Sequence, residues 1–287
     1  MIRCLWSILI ALLFCASAFA QQIPKGKVIF SSGTPKNNFY DLFIVNSDGT
    51  GIQPVTNAHA LTDLSDVYQR RLVYMQRVDT TMKYNIIISG IDGSNTKTIL
   101  SNQVVCNPKW SPDGAMIVYE YYPPLAQDIW AMDSNGNNRH LLVHHARHPY
   151  WYADGRKLLF TRNYEVYSKN IKTGKEQQLT HLRAQDYSAK WPAISPDGKK
   201  LAFKVYKGTQ PMDARGIMVI DLATGAQKII PDTDMPYWTS DNHYMLCSSR
   251  PRDYSHSQIL IVNIDTGEKT PITSNDRSND FPAWVNE

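Results

Sequence analysis

Pro108-Lys109-Trp110-Ser111-Pro112-Asp113-Gly114 reads as the end of a short strand closed by a tight turn. Aspartate caps such a turn through its side chain, and glycine takes positive φ. The leading proline fits only if the strand lies at a sheet edge. The stretch recurs as Pro149-Tyr150-Trp151-Tyr152-Ala153-Asp154-Gly155 and Pro192-Ala193-Ile194-Ser195-Pro196-Asp197-Gly198, and more loosely as Pro236-Tyr237-Trp238-Thr239-Ser240-Asp241-Asn242. A second series of turns runs alongside it: Asp48-Gly49, Asp92-Gly93, Asn135-Gly136, Thr173-Gly174, Thr224-Gly225 and Thr266-Gly267. Successive glycines of that series stand 38 to 51 residues apart. Self-similarity near 40–45 residues marks a β-propeller with one repeat per blade.

Between the two turn series the blades can be laid out strand by strand. Apolar second strands are predicted at 116–120, 157–161, 200–204 and 244–248. Third strands at 42–46, 85–89, 128–133, 166–171, 216–221 and 258–263 run into the second turn series. Short outer strands such as 177–180 and 270–273 end the repeats. Four strands make a blade. The chain enters on a second-type strand, 27–31, and ends on an inner strand, 280–284, so the two should complete one blade and remove the open edge. The expectation is an all-β fold, a six-bladed β-propeller over residues 26–287 closed by its N- and C-terminal strands. Blade two is degenerate, with Val67-Tyr68-Gln69 in place of the first turn.

Composition agrees with one strand-rich domain. The chain has 287 residues, with 16 Tyr and 7 Trp, and all-β domains of this size are common. A formal net charge of +4 with scattered signs gives no basis for nucleic-acid binding. Residues 1–20 read as an export signal: Arg3, an apolar run over 5–14, then Ala18-Phe19-Ala20 before cleavage. Only a short segment, 21–25, would separate the cleavage site from the first strand, and no membrane span would remain. Cys106 and Cys247 fall in blades three and six, too far apart for a disulfide, and are expected as separate buried thiols. The protein is expected to be periplasmic or secreted.

The Trp-Ser-Pro-Asp-Gly at 110–114, the Asp-Gly turns, the Leu-Thr and Val-Thr strand endings and the terminal Phe281-Pro282-Ala283-Trp284 resemble the TolB-type propeller repeat (WD40-like, PD40). The resemblance covers about residues 25–287. It implies a periplasmic adaptor that binds an envelope protein or lipoprotein of the Pal type. The N-terminal domain that couples the family's namesake to TolA is not expected here. Similar repeats also occur in lyases and in peptidase accessory domains.

The candidate sites follow from the propeller geometry. Gly-x-Ser-x-Gly, His-Glu-x-x-His, Cys-x-x-Cys and phosphate-loop patterns are missing from the sequence. No catalysis, cofactor or tightly bound metal is expected, and the protein is expected as a monomer. His144, His145 and His148 offer an alternative, a metal site for a polysaccharide lyase or hydrolase. A carbohydrate-binding propeller is a related alternative. Asp133-Ser134-Asn135-Gly136-Asn137 resembles the start of a calcium loop but is read as a turn. Trp110, Trp151, Trp238 and Trp284 recur at one repeat position and are assigned to inter-blade core, whereas Trp191 stands out of register. Long, varied loops should gather on one face, where function concentrates. The residue two before each repeated proline should ring the channel mouth there: Cys106, Arg147, Lys190, Asp234 and Asp280. With His148, Asp186, Arg250, Arg252, His256 and Arg277 nearby, this gives a partner-binding mouth, basic on one side and acidic on the other.

Overall fold

The computed structural model describes residues 23–285, apart from 35–38, 59, 79–80, 123–126, 209–213 and 250–255. Residues 1–20, expected as an export signal, and Arg250 and Arg252 therefore lie outside the described residues. The sheets are six, each of four antiparallel strands. In blades two to six the strands follow chain order, inner to outer. Blade one is built from both ends of the chain: Ser278–Val285 is its inner strand, followed by Lys27–Thr34, Phe39–Asn46 and Gln53–Pro54. Trp284 pairs with Val28, and Ser278 with Gly33. Arg277 tightens this closure. Its guanidinium donates to the Ser32 hydroxyl at 2.9 Å and the Ser32 carbonyl at 3.0 Å, and lies over the Phe43 ring.

The second strands carry continuous apolar runs because each is covered on both faces by neighbouring blades. Val28-Ile29-Phe30, Leu158-Leu159-Phe160 and Leu201-Ala202-Phe203 are all at zero exposure. The repeated tryptophans wedge between blades. Trp110 packs with Val73 and Ile86 of blade two, Trp238 with Ala193 and Ala202 of blade five, and Trp284 with Leu246 and Ile261 of blade six. Degenerate blade two keeps its inner strand, Thr62–Tyr68, and Tyr68 packs on Trp110 where blades three to five have the Asp-Gly turn. The helical content among the described residues is one 3₁₀ turn, Leu182–Gln185.

Both turn series behave as their sequences require. Ser111 Oγ donates to Asp113 Oδ1 at 2.6 Å, and Ala115 N–H donates to the same oxygen at 3.0 Å. Ser195 with Asp197 and Thr239 with Asp241 repeat the bond. Gly136 sits at φ 88°, and a Cβ there would strike the Ile99 carbonyl of the preceding blade, so glycine is needed for space as well as for conformation. Asp133 accepts from the Asn135 and Asn137 N–H groups, which makes the calcium-like segment an ordinary turn. Cys247 is buried, and Cys106 falls short of the full burial expected: it is partly buried at the channel mouth, 3.3 Å from the Tyr122 hydroxyl.

Candidate functional site

Every inner strand carries a one-residue bulge, and the bulges build the channel. The ladder slips between Cys106 and Lys109, Arg147 and Tyr150, Lys190 and Ala193, Asp234 and Tyr237, and Leu64 and Asp66, with the matching slip in blade one. In five blades the residue before the proline is left-handed: Asn107, His148, Trp191, Met235 and Phe281 have φ between 48° and 54°. Bulky residues held there store strain of about 1 kcal/mol or more each, which the surrounding sheet must offset. A bulge re-aims side chains, and these five line a cavity of about 60 Å³ in the channel.

The ladders define the ring above this layer. Cys106 faces Glu120 on the second strand, Arg147 faces Thr161, Lys190 faces Lys204, Asp234 faces Ser248 and Asp280 faces Ser31. In blade two the same place belongs to Asp63, opposite Met75. Sequence reading missed Asp63 because blade two lacks the repeated proline; only the ladder aligns it. The complete ring runs Asp280, Asp63, Cys106, Arg147, Lys190, Asp234 over blades one to six. Acidic residues occupy blades six, one and two; basic residues occupy four and five.

These groups differ in what they already hold. Asp234 is buried beside equally buried Lys204, at 3.3 Å, and so acts on the mouth through its field. Arg147 is partly committed to Glu120, at 3.5 Å, and to the Tyr122 hydroxyl, at 3.1 Å. Glu120, at zero exposure, also accepts from the His148 N–H, the Tyr122 hydroxyl and the Asn107 amide. Lys190 lies over the Trp191 and Tyr206 rings; burial first, and then Arg147, hold its ammonium below the usual value. Asp280 accepts from the Ser257 hydroxyl. Burial and the Asp280 charge raise Asp63 to about 6. Asp186 is exposed at the rim in an ion pair with Lys207, His256 is half-buried, and Arg277 is spent on blade closure.

The histidines part company. His148 is buried, its Nδ1 2.7 Å from the Thr161 hydroxyl and its ring edge-on to Trp191. Burial pushes its pKa down to about 4, against the pull of Glu120. His144 and His145 lie together on the exposed connection, with His144 3.6 Å from Asp128. Among the described residues, no three His, Cys, Asp or Glu side chains come together as a metal-holding group.

Below the bulges lies a third layer, from the residue after each proline: Lys109, Tyr150, Ala193, Tyr237 and Ala283, with Asp66 in blade two. Tyr150 and Tyr237 line both the 60 Å³ cavity and a second one of about 270 Å³ toward the short-turn face. Asp66 accepts from the Trp110 N–H at 2.9 Å and the Tyr237 hydroxyl at 3.3 Å. Burial pushes the Lys109 ammonium down and the Asp66 carboxyl up, and the two charges oppose this in each other.

The TolB beta propeller domain matches residues 58–211 of this sequence, more than half the chain. The chain belongs to the TolB β-propeller family. Among curated relatives, the Tol-Pal system protein TolB of Francisella tularensis subsp. holarctica (strain OSU18) is 30% identical over 149 residues, which are 51% of this chain and 25% of that protein. The chain thus matches about a quarter of that relative's length. Crystallographic TolB from Acinetobacter baumannii superposes with a TM-score of 0.77 at 18% identity, over 91% of this chain and 66% of that one. A structure described as putative TolB from Agrobacterium tumefaciens gives 0.64 at 14% identity, over 92% and 100%. At these identities the superpositions speak for the fold. Among the described residues, no helix is long and apolar enough to cross a membrane.

Proposed function

We propose that this TolB-family propeller is an exported binding module that docks a protein or peptide partner on its loop-rich mouth. The observation that carries the reading is the division of the ring, with Arg147 and Lys190 on one side and Asp280 and Asp63 on the other. A mouth of this kind orients a partner electrostatically and gives specificity and on-rate more than affinity. The second and third strands part toward this face, as at Arg77 and Tyr84, while the opposite face carries short turns closed by their own Asp113, Asp197 and Asp241. Kinship with Tol-Pal system proteins makes a Pal-like envelope lipoprotein the first partner to try. Burial of His148 away from His144 and His145 speaks against the metal-assisted lyase reading.

Cross-linking in intact envelopes tests the proposal. Photo-reactive residues replacing Arg147, Lys190 or Asp280 should capture one defined protein, and the same residues at Asp113 or Gly225 should not. Equal capture from both faces, or retention on a glycan array with no protein captured, would overturn it.

A further inference from the structure

Lys109 is the one cation in the third layer of the channel, and its position is chemically unfinished. An ammonium carries three N–H donors. One goes to the Ser65 carbonyl. No other acceptor lies within hydrogen-bond reach of it among the described residues, although the group lines the 60 Å³ cavity. The Tyr150 and Tyr237 rings stand 6.0 Å away on its flanks and supply only their π faces. The neighbouring carboxylate does not finish the job, because Asp66 turns its two oxygens to the Trp110 N–H and the Tyr237 hydroxyl.

The cavity's size and walls narrow what could complete it. A volume of about 60 Å³ holds roughly four waters at about 15 Å³ of probe-occupied space each, which is too little for a sugar ring. Trp191, Met235 and Phe281 give the rest of the wall an apolar character. Arg147 and Lys190 stand at the mouth above, on the two blades next after that of Lys109, so an anion entering on this side passes two cations before it reaches the third, although Glu120 offsets part of the Arg147 charge and Asp66 part of that of Lys109. His148 lines the same cavity, and its neutral ring adds no competing charge.

We propose that the channel holds a carboxylate-binding site in which Lys109 grips the anion and the Trp191, Tyr150 and Tyr237 rings clasp one or two attached carbons. A carboxylate has two oxygens to accept the open N–H donors, and such charge-assisted bonds are the strong ones. The carboxylate can belong to a free short-chain acid or to the C-terminus of a partner chain. The second case rests on the docking function proposed above, and the first does not.

An NMR titration of the purified protein decides it, followed at the Trp191 indole and assigned with Trp191→Phe. Sodium propionate, short peptides with a free C-terminal carboxylate, and the matching amides serve as probes. Carboxylates should shift the indole saturably and amides should not, and Lys109→Met should weaken the carboxylates at least tenfold. Should Lys109→Met fail to fold, Lys109→Met/Asp66→Asn removes both charges together and must show the same loss. Propionate binding as tightly as any peptide supports a free acid; peptide acids binding at least tenfold tighter support a chain terminus. No saturable shift with any carboxylate, equal titration by acids and amides, or an undiminished response in the folded variant would overturn the site. Cross-linking from the mouth uses no carboxylate probe, so failure of partner docking and failure of this site register separately.

Discussion

On the short-turn face, Asp113 accepts hydrogen bonds from the Ser111 hydroxyl and the Ala115 N–H, and these hold its carboxyl below the usual range. At the loop-rich mouth, Asp63 sits beside Asp280, and burial with that second negative charge lifts it to about 6. The first carboxylate is satisfied by its own turn and fixes the chain's course. The second is held at a cost to the fold. The same residue type thus works for the scaffold on one face and against it on the other, as expected where a binding surface is kept at some loss of stability.

The largest expected effect lies in the scaffold. Trp284→Ala removes the wedge that packs blade one on blade six and should cost about 3–5 kcal/mol in urea unfolding. Removing residues 278–287 also strips the inner strand from the closing blade, and the product should aggregate through its open edge. A truncated chain that melts like the intact one would mean that closure is not where the ring is held.

The mouth should respond with the opposite sign. Asp63 has a folded-state value of about 6 against an ordinary 3.8. The folded state therefore holds this proton more tightly than the unfolded chain, and the group's contribution falls as pH rises from about 4 to about 6. Asp63→Asn should stabilise the protein by about 1–3 kcal/mol at pH 7.5, with the gain gone below pH 4. Destabilisation at every pH would erase the contrast between the faces.

A smaller change tests steering. Lys190→Glu should slow partner association about tenfold at low salt, with the difference lost near 0.5 M salt, while leaving dissociation nearly unchanged. A slowed rate that persists at high salt would indicate a contact role for Lys190 instead.

The smallest effect belongs to one turn. Asp113→Ala should cost about 0.5–1.5 kcal/mol, the worth of a hydrogen bond, without altering partner capture. Because the Asp113 carboxyl is held low, its contribution is present above about pH 4 and lost as pH falls through the folded value. Loss of capture in this variant would show that the faces are not independent.

The repeat, the blade count, the closure by both chain ends and the inter-blade tryptophans were legible in the sequence, because each rests on local chemistry. Turn residues announce themselves by type, apolar runs mark strands covered on both faces, and a fixed period forces equivalent placement. Five of the six mouth residues followed from their offset to a proline, while Asp63 was hidden because blade two lacks that proline. The charge balance of the mouth belongs to the tertiary structure. Lys204 buries Asp234 from an adjoining blade, Glu120 engages Arg147 across another, and Arg277 is drawn to Ser32 from the far end of the chain. The left-handed bulges and the placing of Lys109 between two tyrosines also arise only when six inner strands converge on one axis. Periodicity fixes where a side chain stands, but its partners come from other blades, and those pairings decide which charges are left for a ligand.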